Sequence, residues 1–162
     1  MIYSVYVRLL TAVCSRYIQN DEDVKDVLQD SFMKIFGGIR QFTYRGEGSL
    51  KAWMTKIVVN ESLKFISRNG HIDFGELHDN LPDTSGDEPE LTDIPAAQIH
   101  EYIRTLPDGY RLVFNLYAIE GKSHREIGTI LGIAESTSAS QLHRAKALLA
   151  SKIRDFINRQ SS

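Results

Sequence analysis

Residues 121–149, GKSHREIGTILGIAESTSASQLHRAKALL, restrict the possible folds more than any other stretch. Ser123 stands before a short apolar helix and Glu126 follows three residues later, the spacing of a capping box in which each side chain satisfies an orphan backbone N–H. Ile127, Ile130 and Leu131 give that helix an apolar face. Gly132 supplies the stop, where a left-handed backbone is easy only for glycine, and Ile133 pins the turn to the core. A second helix starts near Glu135 and carries Leu142, Ala145, Leu149, Ile153 and Phe156 on one stripe. Its first turns are expected to expose Glu135, Ser136, Thr137, Ser140, Gln141 and Arg144. Together these form a helix-turn-helix pattern. Short hydrogen-bonding side chains and a guanidinium at the start of its second helix suit base edges and phosphates in a DNA major groove. An ordinary helical hairpin shares the periodicity but does not require the cap, the glycine stop and the polar leading turn to agree.

The net charge of −2 looks wrong for a DNA binder, but it hides a pattern. Between Asn69 and Pro95 there are eight acids (Asp73, Glu76, Asp79, Asp83, Asp87, Glu88, Glu90, Asp93) and no Lys or Arg. Without them, 19 basic residues face 13 acids, a net of +6. Both flanking blocks are mildly basic, which points to a nucleic-acid protein with a distinct linker. Cys14 is the only cysteine and the five histidines are scattered, so neither an internal disulfide nor a zinc motif is expected. No signal-peptide pattern and no bilayer-length apolar run is present, so a soluble cytoplasmic protein without membrane insertion is expected.

The chain reads as helices throughout. Residues 2–18 carry Ile2, Tyr6, Leu9, Leu10, Val13 and Tyr17 at helical spacing. Asn20 caps a second helix, and Asp21, Glu22 and Asp23 complement its dipole. That helix runs through Val24, Val27, Leu28, Ile35 and Phe36 until Gly37-Gly38 ends it. Ser49 is the cap candidate for a third helix over about 50–68. Residues 70–95 hold three of the four prolines and form a self-repelling acidic linker. Beyond it, Ile99, Tyr102, Ile103 and Leu106 mark one helix, and Leu112, Val113, Leu116 and Tyr117 another that ends at Gly121. The expected fold class is all-α: a helical domain at 1–69, the linker at 70–95, and a second helical domain at 96–162 bearing the helix-turn-helix.

The third helix has a patterned polar face. Lys56, Asn60, Lys64 and Arg68 are each four apart, while Leu50, Trp53, Met54, Ile57, Val58 and Phe65 mostly cover the other side. Cations hold phosphates and an amide reads a base; a solvated lysine face would look the same. The preceding loop, QFTYRGEGS, sets Phe42 and Tyr44 beside Arg45. Aromatics next to a cation stack unpaired bases, although Phe42 is favoured as core closure. Asp23, Asp26 and Asp30 share a helical face, but no second ligand motif accompanies them, so a Mg²⁺ site is disfavoured. His124 and His143 have no evident orienting partner. No catalytic residue, cofactor, metal or small-molecule substrate is expected.

With these residues in view, the chain resembles the extracytoplasmic-function (ECF) sigma factors of bacterial RNA polymerase, over nearly its whole length. NDEDVKDVLQDSFMKIF is similar to the second segment of the family's conserved region two. RGEGSLKAWMTKIVVNESLKFI is similar to the third and fourth segments of that region, with the pattern Trp53, Ile57, Asn60. LPDGYRLVFNLYAIEGKSHREIGTILGIAESTSASQLHRAKALL is similar to region four. The resemblance implies a non-enzymatic initiation factor that binds core RNA polymerase and promoter DNA. It implies a recognition helix from Glu135 to about Lys146 in the minus-35 element, with Lys146 joining the DNA contacts. It implies minus-10 engagement and strand opening by Phe42, Tyr44, Arg45, Trp53, Lys56, Asn60, Lys64 and Arg68. Asp26, Gln29, Asp30 and Met33 would dock on the polymerase clamp helices. The acidic linker would replace the middle region of housekeeping sigma factors, and an anti-sigma factor is an expected partner.

Three departures stand out. Met1 falls inside what the family makes its first region-two helix, Ala139 replaces a common recognition-helix lysine, and Gly128 replaces a usual alanine at about 1 kcal/mol of helix propensity. The alternative is a stand-alone helix-turn-helix regulator that binds duplex DNA without polymerase, its first domain serving to sense or dimerise. A more distant one is a Mg²⁺-dependent helical enzyme.

Overall fold

The structure is a computed structural model that describes residues 2–69, 72 and 94–161. All regular elements among them are helical, and the chain divides into two compact units, Met1–His71 and Ile72–Ser162. Nearly all of the expected linker, and the Ile2 side chain, lie outside the described residues.

The first unit is three mutually packed helices, α1 (Ile2–Ser15), α2 (Asp21–Gly38) and α3 (Ser49–Asn69). α1 is shorter than its periodicity suggests. It ends in a tight turn, where the Ile18 N–H donates to the Cys14 carbonyl at 3.0 Å, yet Tyr17 and Ile18 beyond it are buried with Leu10, Val13 and Cys14. Asn20 caps α2 as expected, its side-chain oxygen accepting from the N–H groups of Glu22 (2.9 Å) and Asp23 (3.1 Å). Val24, Val27, Leu28, Ser31, Phe32 and Ile35 form its buried face.

Two expectations need correction here. Phe36 is half exposed, because Phe32, one turn earlier, takes the inward row and Phe36 lies against its ring on the outside. Gly37-Gly38 closes α2 as expected, and a separate 3₁₀ turn follows at Ile39–Gln41. Gly38 lies close to α3, since a Cβ there would stand 3.2 Å from the Trp53 ring, a tight contact that the indole would have to relieve by a few tenths of an ångström. Ser49 is not a cap but the first residue of α3; its hydroxyl accepts from the Arg45 N–H at 3.2 Å.

The second unit contains α4 (Ala96–Arg104), α5 (Asp108–Phe114), a π-helical segment (Asn115–Ile119), α6 (His124–Leu131) and α7 (Glu135–Gln160). Ile103, Leu106, Tyr110, Ala145 and Leu149 form its core, with Ile99, Tyr102, Phe114 and Leu148 packed against it. The helix expected to run to Gly121 therefore changes its hydrogen bonding at Asn115. The Asn115 side chain, fully buried, donates to the Arg111 carbonyl at 2.8 Å.

The capping box is present as expected: the Ser123 hydroxyl accepts from the Glu126 N–H at 3.1 Å, and Glu126 accepts from the Ser123 N–H at 3.2 Å. Gly132 adopts the left-handed conformation at φ 69°. Ile130, assigned to the inner face from spacing, is 44% exposed, because α6 buries only the Ile127–Gly128 row.

Gly128 reverses another expectation. A Cβ there would lie 2.7 Å from the Ile133 carbonyl oxygen, while the Ile133 N–H donates to the Gly128 carbonyl at 3.0 Å. The absent side chain is what lets the turn fold back onto α6. Gly128→Ala gains about 1 kcal/mol of helix propensity but loses about 1–3 kcal/mol to overpacking against backbone. It is expected to lower the thermal unfolding temperature; a variant as stable as its parent would show that the turn gives way freely.

Candidate nucleic-acid interface

On α3, Lys56, Asn60, Lys64 and Arg68 are all exposed, as a four-residue spacing on one helical face requires. The loop before α3 is organised by an aromatic pair. Phe42 and Trp53 pack with ring centroids 5.0 Å apart, and both are half-buried. Tyr44, in contrast, is 70% exposed, and Arg45 is exposed beside it. Gly46 and Gly48, at φ 115° and 83°, take backbone conformations that side-chain-bearing residues rarely adopt.

Glu61 is a participant that sequence reasoning missed. It binds Lys34 of α2 in a short ion pair, and Lys64 lies 3.4 Å from the same oxygen. Only the i,i+3 spacing to Lys64 is visible in the sequence; the partner on α2 is 27 residues away. Burial pushes the Glu61 carboxyl up, but the two ammonium groups outweigh it and hold the pKa below the usual carboxylate range.

Asp26, Gln29, Asp30 and Met33 are exposed on α2, Met33 at 69%. Gln29 and Met33 also border a groove of about 880 Å³ between α1 and α2, floored by Val7, Val24, Leu28, Phe32 and Phe36.

At the start of α7, Glu135 and Ser136 are exposed, and Lys146 is exposed further along, but Thr137, Ser140 and Arg144 are half-buried. Gln141 is 2% exposed, which corrects the expectation that it faces outward. The buried stripe is wider than Leu142, Ala145 and Leu149: it takes in Ser138 and Gln141, which are i−4 and i−1 to Leu142. The outward stripe is Ser136, Ala139, His143 and Lys146. His143 thus gains a place on the outer face, where its sequence context marks only a lone histidine without a catalytic partner. His124 also has a partner that the sequence does not reveal, its Nδ1 lying 2.8 Å from the Ser138 hydroxyl oxygen.

Two family models cover most of the chain: Sigma-70 region 2 at residues 2–72 and Sigma-70 region 4 at residues 96–149. The chain belongs to the sigma-70 family, in its ECF branch. It is a promoter-recognition factor of RNA polymerase and not an enzyme. It is 26% identical over 169 residues to the ECF RNA polymerase sigma-E factor of Haemophilus influenzae, covering 97% of this chain and 88% of that one. It is 26% identical over 148 residues to the ECF sigma factor SigE of Mycolicibacterium smegmatis, covering 88% of this chain and 55% of that one, so it spans about half the length of that relative. Among solved structures it is similar to CnrH bound to the cytosolic domain of CnrY (22% identity, TM-score 0.47, 95% of this chain and 86% of that one). It is also similar to RpoE bound to the anti-sigma factor NepR from Bartonella quintana (22% identity, TM-score 0.48, 94% of each chain). Among the described residues, no helix of this sigma factor is long and apolar enough to cross a membrane.

Region 2 of the sigma factor is thus tied together by an ion pair at the edge of its polar face. Glu61→Gln is expected to reduce stability near neutral pH by about 1 kcal/mol or less, the range of a partly exposed pair. Because the folded carboxyl titrates below its unfolded value, its contribution is present at neutral pH and disappears as pH falls through the depressed pKa. Denaturation midpoints of both proteins should therefore converge in acid; a constant difference at all pH values would assign the effect to packing.

Proposed function

We propose that this sigma factor, bound to core RNA polymerase, reads a minus-35 element with α7 and captures the opened minus-10 element with α3 and the 42–49 loop. The observation that carries the proposal is the exposed row Lys56, Asn60, Lys64, Arg68 on α3, together with an exposed Tyr44 in the loop that leads into α3, in the same chain as a capped helix-turn-helix. Cations along the row attract the phosphate backbone without regard to sequence. Tyr44 offers a ring face to an unpaired base, worth about 1–3 kcal/mol, against the few kcal/mol that unstacking that base costs. Asn60 supplies an amide that pairs with a base edge. Phe42 and Trp53 serve as the hinge that holds the loop, with Arg45 beside Tyr44.

On α7, Ser136 and His143 are placed toward base edges, with Glu135, Thr137, Ser140, Arg144 and Lys146 around them. Gln141 supports the helix from within. Asp26, Gln29, Asp30 and Met33 form the polymerase-docking face, which the Gln29–Met33 side of the groove extends. Residues 1–69 and 96–162 act as the two promoter-binding domains, and the acidic linker, 70–95, threads channels normally used by RNA. An anti-sigma factor is the proposed regulator; the Bartonella quintana RpoE structure is itself a complex with one. The proposed site of action is the cytoplasm.

Asn60→Ala and Tyr44→Ala are each expected to leave core polymerase binding unchanged and to reduce permanganate reactivity of the promoter bubble several-fold. Full reactivity in both variants would remove the α3 face from strand opening. Duplex binding by the wild-type chain without any core binding would favour a stand-alone regulator.

A further inference from the structure

Promoter reading as proposed gives Lys146 a role but none to the three side chains in region 4 that lie between it and the turn of the motif, Tyr117, His124 and Ser138. Tyr117 belongs to the π-helical segment, His124 opens α6, and Ser138 and Lys146 lie on α7. The His124 ring lies on the Tyr117 ring, with centroids 4.6 Å apart and planes 15° from parallel. Its Nδ1 is hydrogen-bonded to the Ser138 hydroxyl at 2.8 Å, and Ser138 is fully buried. Lys146 Nζ stands 5.8 Å from the Tyr117 ring centroid.

Apolar packing chooses which face of α7 is buried, and the hydrophobic effect behind it is non-directional, so it leaves small rotations within that face less sharply defined. A buried hydrogen bond is directional, and breaking it strands a polar group. The His124–Ser138 contact therefore fixes the rotation of α7 two residues beyond the exposed Ser136. Tyr117 acts two turns further on. π-helical turns are rare and recur at functional sites; this one leaves Tyr117 38% exposed, with His124 and Lys146 both against its ring. An ammonium over an aromatic face is held by the ring quadrupole, so less rotamer freedom is lost when a phosphate takes it.

We propose that Tyr117, His124 and Ser138 are positioning residues that set the rotation of α7 on the DNA and hold Lys146 ready for a backbone phosphate. This rests on α7 being the recognition helix.

The test uses the full-length chain assembled with bacterial core RNA polymerase, with core polymerase alone as the background. The wild type first selects from a random-sequence duplex pool, and the enriched duplex is then titrated by fluorescence anisotropy over a salt series, well below each protein's melting temperature. Ser138→Ala and His124→Phe, the latter keeping a ring but not the hydrogen bond, should each weaken binding about fivefold, the scale of one net hydrogen bond. The double variant should be no worse than either single one, because both remove the same contact. Tyr117→Leu should lower the slope of log affinity against log salt by about one phosphate contact, whereas Tyr117→Phe, which keeps the ring face, should not. Folded variants with wild-type affinity and slope, or losses that add in the double variant, would overturn the proposal. If the wild type enriches no duplex, the recognition-helix reading itself fails; enrichment followed by unaffected variants defeats only the positioning role.

Discussion

The approach of the Ile133 carbonyl to Gly128 decides how region 4 can be used. The 2.7 Å separation from a notional Cβ means that a side chain there would require this turn to shift against α6. With glycine, Ile133 bonds back to Gly128, Gly132 takes the left-handed conformation, and α7 starts at Glu135 in a set direction. Ser138 and Gln141 turn inward with Leu142 and Ala145, and Ser136, Ala139, His143 and Lys146 turn outward. The outward stripe of its first three turns therefore presents a sparse surface with one exposed cation, Lys146, rather than a dense polar one. Such a face suits recognition by a few base contacts, with affinity supplied elsewhere by polymerase and by region 2.

Region 2 solves a different problem, that of keeping an aromatic side chain in water. Phe42 packs on Trp53, and Gly38 lies close to the same indole. The loop is thereby tethered at its start, while the Ser49 hydroxyl holds the Arg45 N–H at its end. Tyr44, between the two tethers, stays exposed. A loop fixed at both ends loses less entropy when it closes on a base than a free one. The neighbouring Glu61 moderates the cationic row by engaging Lys64, and its tie to Lys34 joins that row to the helix that carries the proposed polymerase face.

The features legible in the sequence are those determined within a few residues. The Asn20 cap, the Ser123–Glu126 box and the Gly132 stop are local hydrogen bonds and dihedral preferences, so spacing alone locates them. The polar row on α3 is legible for the same reason, a regular repeat on one helix. What spacing misses depends on neighbours distant in sequence. Gln141 is inward because α5 and α6 both pack on α7, which widens its buried stripe. Phe36 is outward because Phe32 fills the inner row. Gly38 meets Trp53, Gly128 is explained by a turn carbonyl, and His124 by a serine fourteen residues away. A sequence pattern gives a residue's phase on its own helix, but not how much of that helix its partners cover.

The most direct test of the central claim is run-off transcription over a genomic fragment pool with bacterial core polymerase, with and without the purified chain. The account predicts new transcripts that appear only with the chain and share a pair of upstream elements, one at each promoter position. Binding of the chain to duplex DNA with no association with core polymerase, and no chain-dependent transcript, would contradict it.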